Sequence, residues 1–136
     1  MTNRVYPIGT DSYKAVERVD ELMKQPTTLL IDVRLNAWSW RCDFRHTELS
    51  TMYRARYKRA GKYLGNIATA GTWRVRIASP IAGIHGLAKY LNEGYDLVLL
   101  YHDEQHIKEI CKLLVGLSPE VEVIRFKQPV VTNGPD

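Results

Sequence analysis

Hydrophobic positions along this chain fall into short continuous runs separated by stretches with a helical period. Val5-Tyr6-Pro7-Ile8 predicts a first strand ending at Gly9, in which Pro7 lacks the N–H that a neighbour on its side would need. Val16, Val19, Leu22 and Met23 recur at helical spacing, with Asp11 or Ser12 as the cap and Pro26 as the stop. Leu29-Leu30-Ile31-Asp32-Val33 predicts a strand covered on both faces, and residues 35–46 show no period and read as a loop. A second helix is expected from a Thr47 cap, carrying Leu49, Met52, Tyr53, Tyr57 and Ala60 on one side, with Gly61 just past its end. Tyr63–Ile67 reads as a short strand, and the alternation around Trp73–Ile77 as a loop or surface hairpin. Ser79-Pro80 opens a third helix with Ile81, Ile84, Leu87, Ala88 and Leu91 as its stripe and Gly94 as its close. Leu97–Tyr101 is a buried strand. Asp103 caps a fourth helix bearing Ile107, Ile110, Cys111, Leu114 and Val115, ended by Gly116. Val121–Phe126 is the last strand.

Alternation of strand and helix predicts a three-layer α/β fold, a mostly parallel, Rossmann-like sheet flanked by helices. The expected organisation is one domain over residues 1–127 and a flexible tail over 128–136. Sheets of this kind bind ligands outside the carboxyl ends of their strands. That rule gathers Gly9–Asp11, Asp32–Arg34 with the loop that follows, and His102–His106 at one edge.

Charge sharpens this picture. The 136 residues carry a net charge of +4, yet ten of the nineteen lysines and arginines lie between residues 34 and 76 beside only Asp43 and Glu48. Seven of the thirteen aromatic residues, all three tryptophans among them, fall within residues 38–73. Cations attract phosphates and flat rings stack on bases, a combination suited to a nucleotide or a single nucleic-acid strand. Arg54 to Lys62 is most simply the solvated face of the second helix. Arg34, Trp38, Trp40, Arg41 and Arg45 lie in or beside the loop and form the expected ligand-binding lip. Two cysteines cannot make a disulfide framework. No apolar run is long enough to span a membrane and no leader-like segment opens the chain, so a cytoplasmic location is expected.

Candidate catalytic groups are Asp32, His102 and His106. Asp32 and Arg34 at a strand's end either hold a polar ligand or pair with each other. His102, Asp103 and His106 could build a polar wall, although Asp103 already has work as a helix cap and nothing fixes a metal geometry. No metal and no cofactor are expected. Cys42 lies among cations but lacks a phosphatase-type Cys-x5-Arg spacing, position 48 being glutamate. Cys111 sits on an apolar stripe.

The elements Ile8-Gly9-Thr10-Asp11, Asp32-Val33-Arg34, Ser39, Phe44, Leu49 and Leu64-Gly65-Asn66, then Ile77, Pro80, Gly83, Leu87, Gly94 and Leu97–Leu100, occur in this order within a likeness that covers residues 5–127. In that order and spacing the chain resembles the bacterial family catalogued as domain of unknown function 488. The resemblance implies the α/β fold. It also implies a cysteine near the end of the fourth strand and a Cys-His-Arg triplet at the next helix. This chain has Tyr101 at the first position and Gln105-His106-Ile107 at the second, and Thr10 replaces the histidine of the first turn. Thiol or His/Arg chemistry in the family would be largely lost here. The Asp-Val-Arg strand is also similar to that of rhodanese-like domains, but Tyr101-His102-Asp103 offers no cysteine where their nucleophile belongs.

Three readings follow. The first is binding of an anionic, phosphate-bearing ligand, a nucleotide or nucleic acid, at the carboxyl edge of the sheet. The second is an enzyme with acid–base or transfer chemistry at Asp32, His102 and His106. The third is an interaction module, a homodimer included, that uses the Trp38–Arg45 loop.

Overall fold

The structure is a computed structural model that describes residues 3–68 and 74–129. Five strands, β1 (Arg4–Gly9), β2 (Thr28–Asp32), β3 (Tyr57–Arg59), β4 (Asp96–Tyr101) and β5 (Glu122–Val123), form one sheet in the order β3-β2-β4-β1-β5. Every pairing is parallel. The helices are α1 (Ala15–Met23), α2 (His46–Tyr53), α3 (Gly61–Leu64), α4 (Pro80–Asn92) and α5 (Glu104–Leu117). The three-layer α/β expectation holds, and β4 between β2 and β1 sets this order apart from the 3-2-1-4-5-6 order of a dinucleotide-binding sheet.

Strand alternation builds two cores. Val5, Leu29, Ile31, Leu97 and Leu99 pack with Leu64, with Ile84, Leu87 and Leu91 of α4, and with Ile107, Ile110 and Leu114 of α5. Ile8, Leu30, Val98 and Leu100 face the other way, onto Ala15, Val19 and Met23 of α1, with Phe44 and with Leu49 of α2. β2 is buried throughout, as a continuous apolar run requires. Ile107, Ile110 and Leu114 are fully buried, which is worth about 1.5–3 kcal/mol each and anchors α5. Pro7 is tolerated for a positional reason. Ile124 donates its N–H to Val5 O, so Val5, and Pro7 two residues on, point toward β5, which has ended by then.

Local readings diverge where tertiary contacts win. The second helix stops at Tyr53 instead of running to Ala60. Arg54 leaves helical space at φ 53°, ψ −126°, Arg54–Arg56 makes a 3-10 turn, and Tyr57–Arg59 joins β2 as a strand. Edge pairing with β2 satisfies backbone that a lone helical extension would leave without a packing partner. Gly61 therefore begins α3 rather than closing a helix, and Tyr63–Ile67 is no strand, leaving only an antiparallel bridge between Asn66 and Ile77. Of the loop or hairpin expected at Trp73–Ile77, Trp73 lies outside the described residues, while Ile77 makes this bridge and Arg76 O accepts from Ile67 N. α1 starts from Lys14 in the left-handed region, with no side-chain cap from Asp11 or Ser12. Asp103 does cap α5, accepting from the Gln105 N–H, and α5 runs through Gly116 to Leu117. Ile81 and Val115 are exposed rather than core-facing, Ile81 at 77%, because it borders a shallow groove with Leu113 and Leu117. The last strand is only two residues long. Beyond it Lys127 O accepts from Arg18, and the Gln128 side chain accepts from Tyr13 N. The rest of the expected tail, from 130 on, lies outside the described residues.

Two glycines decide how closely α3 meets the loop after β2. A Cβ on Gly61 would stand 2.1 Å from the Arg34 carbonyl oxygen, and one on Gly65 would stand 2.9 Å from Leu35 Cα. The Leu64-Gly65-Asn66 element is thus a spacer against Arg34 and Leu35. Gly61→Ala should destabilise the protein by about 1–3 kcal/mol, the usual cost of overpacking, read as a lowered urea midpoint at unchanged slope.

Candidate functional site

A parallel sheet puts the carboxyl ends of all its strands at one edge, and the register brings three of them side by side. Gly9 is level with Tyr101, and Asp32 with Leu100. Thr10 N and Val33 N continue the ladder onto Tyr101 O and Leu100 O. The three loops that leave these ends enclose a cavity of about 460 Å³. Its walls come from Asp11 after β1, from Arg34, Asn36, Trp38 and Trp40 after β2, and from His102, Asp103 and His106 after β4. Leu35, Ser39 and Asn66 complete the lining. The size suits a small molecule or a single nucleotide.

Asp32 and Arg34 form the base of the site. Asp32 is 0% exposed and accepts four hydrogen bonds. Arg34 N and Nε reach Oδ1 at 3.2 and 2.8 Å, and Arg34 Nη2 reaches Oδ2 at 2.7 Å. The Tyr57 hydroxyl also donates to Oδ2, at 2.6 Å. Burial and the neighbouring carboxylate push the Tyr57 phenol well above its ordinary value, so it remains a donor. Asp32 is consequently saturated and does not line the cavity. Arg34 is 4% exposed, gives a further hydrogen bond to Phe44 O, and does line it. Its Nη1 is the sole buried side-chain nitrogen or oxygen without a partner among the described residues. A guanidinium nitrogen left so is costly unless a ligand completes it.

His106 is 3% exposed and sits one turn into α5. Its Nε2 lies 2.6 Å from Leu64 O, which can only accept, so the ring proton is on Nε2 and Nδ1 keeps its lone pair. Burial pulls its pKa below the ordinary 6.5, although the Leu64 bond and Asp103 act in the opposite direction. His102 is exposed, with Nδ1 3.4 Å from Thr10 Oγ1 and 3.5 Å from Asp11 Oδ2. Asn66 Oδ1 accepts from Ala68 N and Arg76 N, so its amide N–H groups are the donors it has left.

The basic side chains of the lip have other employment. Arg45 donates to Ser39 O and lies over the Trp38 ring at 4.9 Å, while Arg41 donates to Thr10 O and lies over Phe44. Neither lines the cavity. Both brace the loop that presents Trp38 and Trp40, whose rings meet edge-on at 5.0 Å. Trp38 is 47% exposed and Trp40 86%. Arg56, expected on a solvated face, instead gives hydrogen bonds to the carbonyls of Met23, Gln25 and Thr28 beyond the end of α1.

Tyr101, at the position where the resemblance implies a cysteine, is a protonated phenol. Burial and its bond to the Glu104 carboxylate push its pKa up to about 12, and Arg125 pairs with Glu104 beside it. Cys42 is exposed, and half-buried Cys111 is pushed up to about 11 by burial. Neither cysteine lines the cavity. No cluster able to hold a metal ion occurs among the described residues. Sequence reasoning missed Asn36 as a lining residue and Tyr57 as the partner of Asp32. No local signal marks either one, since both depend on where β3 pairs.

Set against models of known families, curated proteins and solved structures, the chain matches none. Fold and site therefore define the protein: an all-parallel α/β protein with a ligand-sized polar and aromatic cavity at the carboxyl edge of its sheet. Among the described residues, no helix is long and apolar enough to cross a membrane.

Two measurements test this arrangement. Tyr57→Phe leaves buried Asp32 one donor short and should cost about 1–3 kcal/mol in urea denaturation. His106 is held neutral in the fold, so the unfolded chain gains a proton first as pH falls through 6.5. Its contribution is present above that pH and lost below it. Between pH 7.5 and 5.5 the wild type should lose more stability than His106→Gln does.

Proposed function

We propose that the cavity binds a small ligand with one anionic group and one flat ring, a single nucleotide or a nucleotide unit of a strand. The observation that carries this reading is Arg34: a buried cation in the cavity wall with one nitrogen unpaired, in the same lining as two exposed tryptophans. The buried guanidinium in the wall favours an anionic group in the cavity, and a base stacks on the indoles for about 1–3 kcal/mol. Asn36, Asn66 and Ser39 add the polar groups that orient a sugar or a base edge. Arg34 is the only lysine or arginine in the lining, and Asp11 and Asp103 share it, so one anionic group is favoured over a polyphosphate. The family resemblance contributes only an expected fold and no ligand.

A competing use of Trp38 and Trp40 is a homodimer that closes both rings between two copies. It is favoured by the exposure of Trp40 alone, and it leaves the unpaired Arg34 nitrogen without a role.

Titration with nucleoside monophosphates while following tryptophan fluorescence separates the two. Stacking should quench the signal saturably, and Trp40→Ala should weaken binding by roughly ten- to a hundredfold, the equivalent of one stacked base. A flat titration up to millimolar nucleotide, together with a dimer by light scattering that Trp40→Ala dissolves, would replace the ligand reading with the interface.

A further inference from the structure

We propose that this cavity cleaves a ribonucleotide phosphodiester, with His106 as general base toward the ribose 2′-hydroxyl and His102 as general acid toward the departing 5′-oxygen. This rests on the nucleotide reading above.

Two imidazoles line one cavity. His106 gives its Nε2–H to Leu64 O and retains the Nδ1 lone pair. His102 has Nδ1 3.4 Å from Thr10 Oγ1 and 3.5 Å from Asp11 Oδ2, which leaves Nε2 outside these contacts. Their surroundings differ as a base and an acid require. His106 is buried and neutral, with Asp103 and Arg34 the charged groups that share its wall. His102 is exposed, beside Asp11. Paired titratable groups in contrasting environments divide into base and acid.

A neutral imidazole lone pair cannot bind an anionic oxygen, so His106 calls for a ligand that brings it a donor. Arg34, the cation of the lining, calls for one that brings an anionic group. A ribose hydroxyl next to a phosphodiester supplies both. In the reaction the 2′-O–H proton passes to His106 Nδ1 as the 2′-oxygen bonds to phosphorus. The P–O5′ bond breaks with its electron pair on O5′, which takes the proton from His102 Nε2. The products are a 2′,3′-cyclic phosphate and a 5′-hydroxyl, balanced without any co-reactant. Arg34 opposes the charge that builds on the non-bridging oxygens, and Trp38 or Trp40 holds a base.

The test uses the dinucleoside monophosphate ApA and its 2′-deoxy analogue, with mass spectrometry for products and tryptophan quenching for binding, in EDTA to silence metal-dependent nucleases and with the His102→Ala protein, purified identically, as the control for metal-independent ones. The wild type should release the cyclic phosphate from ApA, and bind the deoxy analogue without cleaving it. His102→Ala, an exposed change whose folding is checked by its melting curve, should bind ApA as before and cleave it at least about a hundredfold more slowly. Quenching by ApA with no cyclic product overturns this inference and leaves the binding reading standing. Cleavage undiminished in His102→Ala also overturns it. Absence of quenching overturns both.

Discussion

The buried ion pair between Asp32 and Arg34 is the constraint on which the rest of the carboxyl edge depends. Removing two charges from water costs several kcal/mol each, and only saturated hydrogen bonding offsets it. Here the offset draws on the Tyr57 hydroxyl from β3, the Phe44 carbonyl from a 3-10 turn at Cys42–Phe44, and the backbone N–H of Arg34 itself. Satisfying one carboxylate therefore fixes the edge strand, the loop after β2 and the start of that loop at once. The guanidinium that results is rigid, dry on most sides and short of one acceptor. The same side chain holds the loop after β2 and lines the cavity.

Much of the positive charge that stands out in the sequence is spent on backbone. Arg34, Arg41, Arg45, Arg56 and Arg59 each give a hydrogen bond to a main-chain carbonyl, of Phe44, Thr10, Ser39, residues around the end of α1, and Leu35 respectively. Arginine suits this use because its donors diverge in a fixed plane and reach carbonyls that no other backbone group serves. The loop from 35 to 45 has only one 3-10 turn, at Cys42–Phe44, yet it is pinned by buried Ala37 and Phe44 and by these arginine contacts. A loop so held can display Trp38 and Trp40 at a defined place on the cavity rim.

Most of the long elements were legible because each has a period that only one structure satisfies. The apolar run of β2 must be covered on both faces, and the stripes of α4 and α5 need one face of a sheet. The segment from Arg54 to Ile67 was not legible. Its residues continue a helical spacing through Tyr57 and Ala60, but β2 offers Tyr57–Arg59 an open edge, and the Asp32 carboxylate takes the Tyr57 hydroxyl. Gly61 is a glycine because the Arg34 carbonyl lies against it, a fact about packing that resembles a helix stop when seen in one dimension.

The amino-acid sequence by itself determined the parallel α/β class, the edge at which the three loops meet, and Asp32–Arg34, Trp38, Trp40, His102 and His106 as the residues to watch. Local period and the geometry of strand ends are properties of short segments, so they can be read there. Tertiary structure alone decided how those residues divide. It saturated Asp32, left Arg34 one nitrogen unpaired, fixed the His106 tautomer on Leu64, and moved Arg41 and Arg45 from the cavity to the loop that frames it. Each outcome depends on which carbonyl or hydroxyl, often tens of residues away, arrives within hydrogen-bonding distance.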